Sequence, residues 1–151
     1  MKTYVAGFLF YDRRVLLVNK LFPEWQKGLW NAIGGKVELG EIAHEAMVRE
    51  FKEETGNLIQ DWNYFCCEAG PNYQVYFFRQ HLQEHVAQTS TKWPLRNDAG
   101  EPLSWMQISD VTRGEVSVVG NLRWIVPMAL DWRNMVTMVR TTDNIVDRAT
   151  W

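Results

Sequence analysis

The stretch GGKVELGEIAHEAMVREFKEETG, residues Gly34 to Gly56, decides how the rest of the chain is to be read. From Glu41 to Thr55, Ala43, Ala46, Met47, Phe51 and Thr55 recur at three- and four-residue steps. That spacing predicts a helix with one apolar flank, and Gly56 suits the left-handed residue that ends it. Upstream, Gly34-Gly35 closes an apolar run, where the backbone turns sharply or lies close to a ligand. On the helix, Glu50, Glu53 and Glu54 stand at i, i+3 and i+4, so three carboxylates share one small area. Like-charge repulsion there costs about 0.2–0.5 kcal/mol per pair, and the C-terminal end of a helix dipole disfavours anions. Alone, E-x-x-E-E reads as a solvated acidic face. With a double glycine facing it across one turn, the cluster instead suits a divalent cation, Mg²⁺ or Mn²⁺, whose oxygen ligands are carboxylates, phosphates and water. Such cations neutralise phosphate oxygens and activate water, while a nearby Glu takes the proton.

Outward from this segment the pattern is mostly strand. Tyr4 to Phe10 and Val15 to Val18 flank Tyr11-Asp12-Arg13-Arg14 and read as a hairpin. A loop, Asn19 to Gly28, carries Pro23 and residues expected to be exposed, Glu24, Gln26 and Lys27; an apolar strand, Leu29 to Ile33, follows and stops at Gly34-Gly35. Asn63 to Cys67 and Tyr73 to Phe78 read as two more strands around the Gly70-Pro71-Asn72 turn. Gln83 to Pro102 is a long polar loop of the sort that carries specificity. Leu103 to Ile108 is a strand, Ser109-Asp110 caps a short helical turn, and Leu122 to Val139 reads as a second long helix. Pro127 is tolerated if that helix begins near Trp124. Together these elements predict an α/β/α sandwich, a mixed β-sheet between helices, forming one domain over 1–140 with a loosely attached tail over 141–151.

Composition narrows the setting. A chain of 151 residues with 46% hydrophobic content fills a single core, and a net charge of −2 offers no broad attraction for nucleic-acid polymers. No run approaches the ~20 apolar residues of a membrane span. The adjacent Cys66 and Cys67 cannot build a disulfide framework and read as strand residues facing opposite sides. A cytoplasmic protein is the expectation. His44, His81 and His85 show no ligand-like grouping.

Gly35, five residues, Glu41, seven residues, then Arg49-Glu50-Phe51-Lys52-Glu53-Glu54-Thr55-Gly56 resembles the Nudix box, G-x5-E-x7-R-E-U-x-E-E-x-G-U. Only the last position departs, being Asn57 where an aliphatic residue belongs. The resemblance runs from the Gly7–Val18 hairpin through Trp105. It implies a Nudix hydrolase, MutT-like, cleaving a nucleoside diphosphate linked to another group. It also implies Glu50 and Glu54 as cation ligands, helped by the Gly34 carbonyl and on some metals by Glu53, with Arg49 orienting the cluster and Glu41 supporting it. A loop glutamate before a late strand, here Glu101 with Glu115 as the spare, is implied as ligand or general base, a role Glu53 shares. Trp30-Asn31-Ala32-Ile33-Gly34-Gly35-Lys36-Val37-Glu38 resembles the run in enzymes that clear purine nucleoside triphosphates, including 8-oxo-dGTP. That likeness makes Asn31 a base contact beside Gly35 and Lys36, with Asn121 and Trp124 as a second contact and a stacking surface. The competing substrates are ADP-ribose or nucleotide sugars, to which Pro71 points, and dinucleoside polyphosphates, to which Tyr73 points. A non-catalytic nucleotide-binding module is the reading from another class. The partner is a small nucleotide, and a homodimer stays open.

Overall fold

The structure, a computed structural model, describes residues 1–84, 96–133 and 137–141. The first strand, β1 (Lys2–Tyr11), alternates its side chains between two apolar layers: Val5 and Leu9 on one face, Tyr4, Ala6, Phe8 and Phe10 on the other. Period-2 alternation with both faces apolar marks a strand buried between layers. The hairpin turn is made by Asp12 and Arg13, with φ of 46° and 61°, leading into β2 (Arg14–Asn19). Positive φ at both central residues matches the right-handed twist of the strands they join.

Then come a 3₁₀ turn (Glu24–Gln26), β3 (Trp30–Asn31), β4 (Ile33–Lys36) and α1 (Ala43–Thr55). The strands β5 (Asn63–Ala69) and β6 (Tyr73–His81) precede β7 (Leu103–Gln107), α2 (Ile108–Arg113), α3 (Leu122–Leu130) and β8 (Thr137–Arg140). The sheet runs β3-β2-β1-β6-β5-β8, with β4 also paired to β1 and β7 to β2. It is mixed: β1 is parallel to β6 and antiparallel to β2 and β4. Ala46, Met47 and Phe51 of α1 cover one face over Val5, Leu9, Ile33 and Phe78. Leu122, Ile125, Val126 and Ala129 of α3 cover the other over Tyr4, Phe8, Val75 and Phe77. The α/β/α sandwich expected from the sequence is therefore the fold found.

Several boundaries differ from expectation. Gly34 and Gly35 do not end a strand; they lie inside β4, paired with Ala6 and Val5, while Asn31 belongs to the separate β3. The helix begins at Ala43 rather than Glu41, because the Glu41 carboxylate accepts the Glu38 N–H at 3.0 Å and turns the chain ahead of the helix. Gln26, expected exposed, is fully buried. Gln107, not Ser109-Asp110, is the N-cap residue of α2. The long second helix stops at Leu130, and Thr137–Arg140 instead adds to the sheet beside β5. Pro127 then sits beyond the first turn of α3, where it withholds the N–H that would meet the Arg123 carbonyl. Most of the long polar loop and all but Thr141 of the tail lie outside the described residues.

Candidate active site

The apolar flank of α1 is pinned to the sheet, so its opposite flank carries Arg49, Glu50, Glu53 and Glu54 outward over β4. Strand and helix approach closely at Gly35. A Cβ built on Gly35 would stand 2.3 Å from the Glu50 carboxyl carbon, so the missing side chain is what admits that carboxylate against the backbone.

Arg49 organises the near half of the cluster. Its guanidinium grips Glu41 through Nε to Oε1 at 2.6 Å and Nη2 to Oε2 at 3.0 Å, the two-point geometry that suits arginine and carboxylate. Nη1 donates to Glu50 at 2.9 Å and to Glu53 at 3.2 Å, and Nη2 also reaches the Lys36 carbonyl at 3.0 Å. Arg49 holds the Glu41 carboxyl below its ordinary range, and its own proton is held more tightly in return. Burial pushes Glu50 up, only partly offset by Arg49. Glu53 remains exposed.

The far half is assembled from three segments distant in sequence. Asn97 Nδ2 donates to Glu54 at 3.3 Å and to Glu101 at 3.0 Å. The Glu101 N–H returns to Asn97 Oδ1 at 2.9 Å, fixing the turn. Glu101 also receives the Lys20 ammonium at 3.2 Å and the Leu21 N–H at 2.7 Å. Although burial raises Glu101, hydrogen bonds from Asn97 and Leu21 and the Lys20 charge outweigh it and leave its carboxyl below the ordinary value. Glu54 has weaker support, and burial pushes it up to about 7 against the pull of Lys20 and Asn97. Beside these groups, α1 and the Asn97 turn flank an open cleft of about 600 Å³ lined by Arg49, Lys52, Glu54, Arg96 and Asn97.

Arg49 thus gathers Glu41, Glu50 and Glu53, and Asn97 gathers Glu54 and Glu101, with Glu50 seated against Gly35. Among the described residues no three carboxyl, imidazole or thiol groups close on a single point, since Arg49 and Asn97 stand between them. The donor set is nevertheless one of hard oxygens, the kind that suits Mg²⁺ or Mn²⁺, and the absence of a side chain at Gly35 lets the Glu50 carboxylate lie against the strand backbone.

The residues expected to bind substrate are dispersed. Asn31 is fully buried; its Nδ2 donates to Gln26 at 2.9 Å and its Oδ1 accepts the Ala32 N–H at 2.8 Å, so the amide faces protein. Lys36 is exposed and meets Arg49 through its backbone. Trp124 is 40% exposed in the first turn of α3, while Asn121 at that helix's N-cap donates to Glu68 at 2.9 Å. Glu115 is exposed between α2 and α3. Asn57, the departure from the box, leaves the helix exit intact: Gly56 is left-handed at φ 73°, and Asn57 bonds back to Thr55 through N and Nδ2. Sequence reasoning passed over Lys20 and Asn97, which hold Glu101 and Glu54. Lys20, the first charge after β2, was the more findable of the two.

Comparison with known proteins bears on this arrangement at two levels. A 52-residue stretch is 42% identical to the CTP pyrophosphohydrolase of Escherichia coli (strain K12), covering 34% of this chain and 38% of that one. Another of 52 residues is 44% identical to the ADP-ribose pyrophosphatase of Methanocaldococcus jannaschii, covering 34% and 30%. The matched stretches thus span about a third of the length of these relatives. In three dimensions the chain is similar to a MutT protein from Bacillus halodurans, with a TM-score of 0.73 and 20% identity over 95% of this chain and 92% of that one, a likeness of fold. The model of the NUDIX domain matches residues 1–125. Because that match takes in β1 through β7 and the start of α3 and not the box alone, the chain belongs to the NUDIX domain family.

Proposed function

We propose that this protein is a divalent-cation-dependent pyrophosphohydrolase that cleaves a phosphoanhydride bond in a nucleoside diphosphate linked to a further group, with a purine nucleoside triphosphate, oxidised forms such as 8-oxo-dGTP included, as the substrate favoured. The observation that carries the reading is the seating of Glu50 against side-chain-free Gly35, with half-buried Glu54 on the same helix and Glu101 brought to it by Asn97. Partly buried carboxylates kept close, with only Arg49 and Lys20 paired to them, are costly, and a bound cation offsets that cost.

Glu50 and Glu54 would hold Mg²⁺ or Mn²⁺, with Glu53, Glu101 and the Gly34 carbonyl completing the donors. When bound, the ion supplies charge neutralisation of the phosphates and a water of lowered pKa. Arg49 keeps Glu50 and Glu53 aimed at the cleft. Glu101, held below the ordinary carboxylate value, is a weak proton acceptor and is better suited to anchoring Lys20 and Asn97. Exposed Glu53, held by Arg49, is the stronger candidate for taking the proton from attacking water. A base-reading role for Asn31 requires its pair with Gln26 to open.

A panel of nucleoside triphosphates, ADP-ribose, nucleotide sugars and dinucleoside polyphosphates, assayed with Mg²⁺ and Mn²⁺, tests this. Release of pyrophosphate from a purine triphosphate is expected, and Glu54→Gln should lower turnover about 100-fold or more while the fold persists. Silence across the panel would instead favour a nucleotide-binding module, and near-normal turnover of that variant would remove Glu54 from the site.

A further inference from the structure

Asn97 spans two carboxylates with one amide group. Its Nδ2 donates to Glu54 Oε2 at 3.3 Å and to Glu101 Oε1 at 3.0 Å, so both of its N–H bonds are spent on oxygens from separate segments. The backbone fixes which end of the amide points that way. The Glu101 N–H donates to Asn97 Oδ1 at 2.9 Å, and a donor there admits only the oxygen. Two further bonds close the turn: the Asn97 N–H to the Glu101 carbonyl at 3.0 Å and the Gly100 N–H to the Asn97 carbonyl at 2.9 Å, with Gly100 left-handed at φ 80°. A flip of the amide would set NH₂ against N–H, so Asn97 leaves the two carboxylates only by swinging its side chain out.

Glu101 Oε1 also accepts the Lys20 ammonium at 3.2 Å, which together with Asn97 fills its two lone pairs, while Oε2 accepts the Leu21 N–H at 2.7 Å. Glu54 receives no other hydrogen bond among the described residues. Arg49 is taken up by Glu41, Glu50, Glu53 and the Lys36 carbonyl. The NH₂ group between Glu54 and Glu101 therefore supplies the partial positive charge that the pair requires. It is a donor only and cannot ligate a metal, so it excludes a cation from the place it fills.

We propose that Asn97 holds the cation's place between Glu54 and Glu101, and that a cation ligated by both has to displace it. The inference rests on the cation site proposed above and adds a residue that regulates its filling. Apparent affinity for the ion is lowered by the share of molecules in which Asn97 stays on the carboxylates, and removing the amide raises it. Asn97 also lines the cleft beside α1 together with Arg96 and Asp98, so the same swing alters the wall that a substrate meets.

The test is Mg²⁺ binding, measured by calorimetry on the wild type, Asn97→Ala and Asn97→Ser. Serine keeps an acceptor for the Glu101 N–H but is too short to span the two carboxylates, so it preserves the turn and removes the bridge. Expected is a Kd for Mg²⁺ about threefold or more tighter in both variants, with melting temperatures that fall in EDTA and recover toward wild type in saturating Mg²⁺. In the wild type, the side-chain NH₂ protons of Asn97 should resonate downfield in EDTA, as hydrogen-bonded amides do, and return to the range of free amides when Mg²⁺ saturates. Weaker or unchanged affinity in a folded variant makes Asn97 a turn residue only and overturns the inference. NH₂ signals that Mg²⁺ leaves in place overturn it even if neither variant folds. Displacement of Asn97 by Mg²⁺ without hydrolysis of any nucleotide supports the inference and defeats the proposed activity, whereas hydrolysis with Asn97 undisturbed does the reverse. A protein that binds no Mg²⁺ overturns both.

Discussion

Glu54 is the residue on which the proposed chemistry most depends. Burial raises it from 4.5 to about 7, so in the folded protein it keeps its proton where an unfolded chain would have lost it. The folded state therefore binds that proton more tightly, and the stability this contributes is full below about 4.5 and lost as pH rises through about 7. A cation binds the ionised form, so taking up Mg²⁺ below pH 7 must expel the proton. Isothermal titration from pH 5.5 to 8 should show affinity climbing by up to roughly tenfold per pH unit and levelling near 7, with proton release in the acid limb. A flat profile would exclude Glu54 as a ligand. Much of this residue's setting was legible in advance, because i, i+3, i+4 spacing places Glu50, Glu53 and Glu54 together on any helix. What spacing could not show was Asn97 and Lys20 converging on Glu54 and Glu101. Those contacts join segments dozens of residues apart, and nothing local in either segment encodes the meeting.

At the scale of elements, the decisive contact is α1 on β4. Gly35→Ala puts a methyl group 2.3 Å from the Glu50 carboxyl carbon, and the side chain has to swing away. The strand pairing of Gly35 with Val5 uses backbone alone, so the fold should survive. The expected result is a melting temperature within a few degrees of wild type and a loss of Mg²⁺ affinity of about tenfold or more, read by calorimetry on the folded variant. Unaltered affinity would show that Glu50 is not held by this cradle. The apolar period of α1 was plain in the sequence and its register came through intact. The second helix did not, because Leu122 to Val139 is apolar enough to mimic one continuous pattern. Its true end is set from outside: Arg79 Nη1, arriving from β6, donates to the Ala129 carbonyl at 3.2 Å and to the Asp131 carbonyl at 3.0 Å. The guanidinium also lies 4.2 Å from the Trp132 ring centroid. A cap supplied by a strand fifty residues earlier is invisible to any local periodicity.

Across the whole molecule, two apolar layers enclose a sheet whose inner strands show almost no surface, and the cysteines report on that enclosure. Cys66 and Cys67 are both free and buried; Cys66 packs in the α3-side layer, and burial pushes its thiol up to about 12. Since only the thiolate reacts readily, the native protein should take up a thiol-specific chromogenic reagent far more slowly than the denatured chain, by about 100-fold or more. Prompt labelling of both thiols in the native state would mean that the β5 region opens easily. Among the described residues no helix is long and apolar enough to cross a membrane.

The nine-residue parallel ladder between β1 and β6, from Lys2 opposite Tyr73 to Phe10 opposite His81, has a consequence for how the protein comes into being. Parallel neighbours cannot be joined by a tight turn, and here everything from β2 through β5, the acidic helix included, is looped out between them. Closing that loop costs chain entropy before the ladder returns anything, so the topology folds slowly for its size. During synthesis, β1 must wait for β6 to emerge, and the carboxylate cluster gains its fixed geometry only once that central seam has closed.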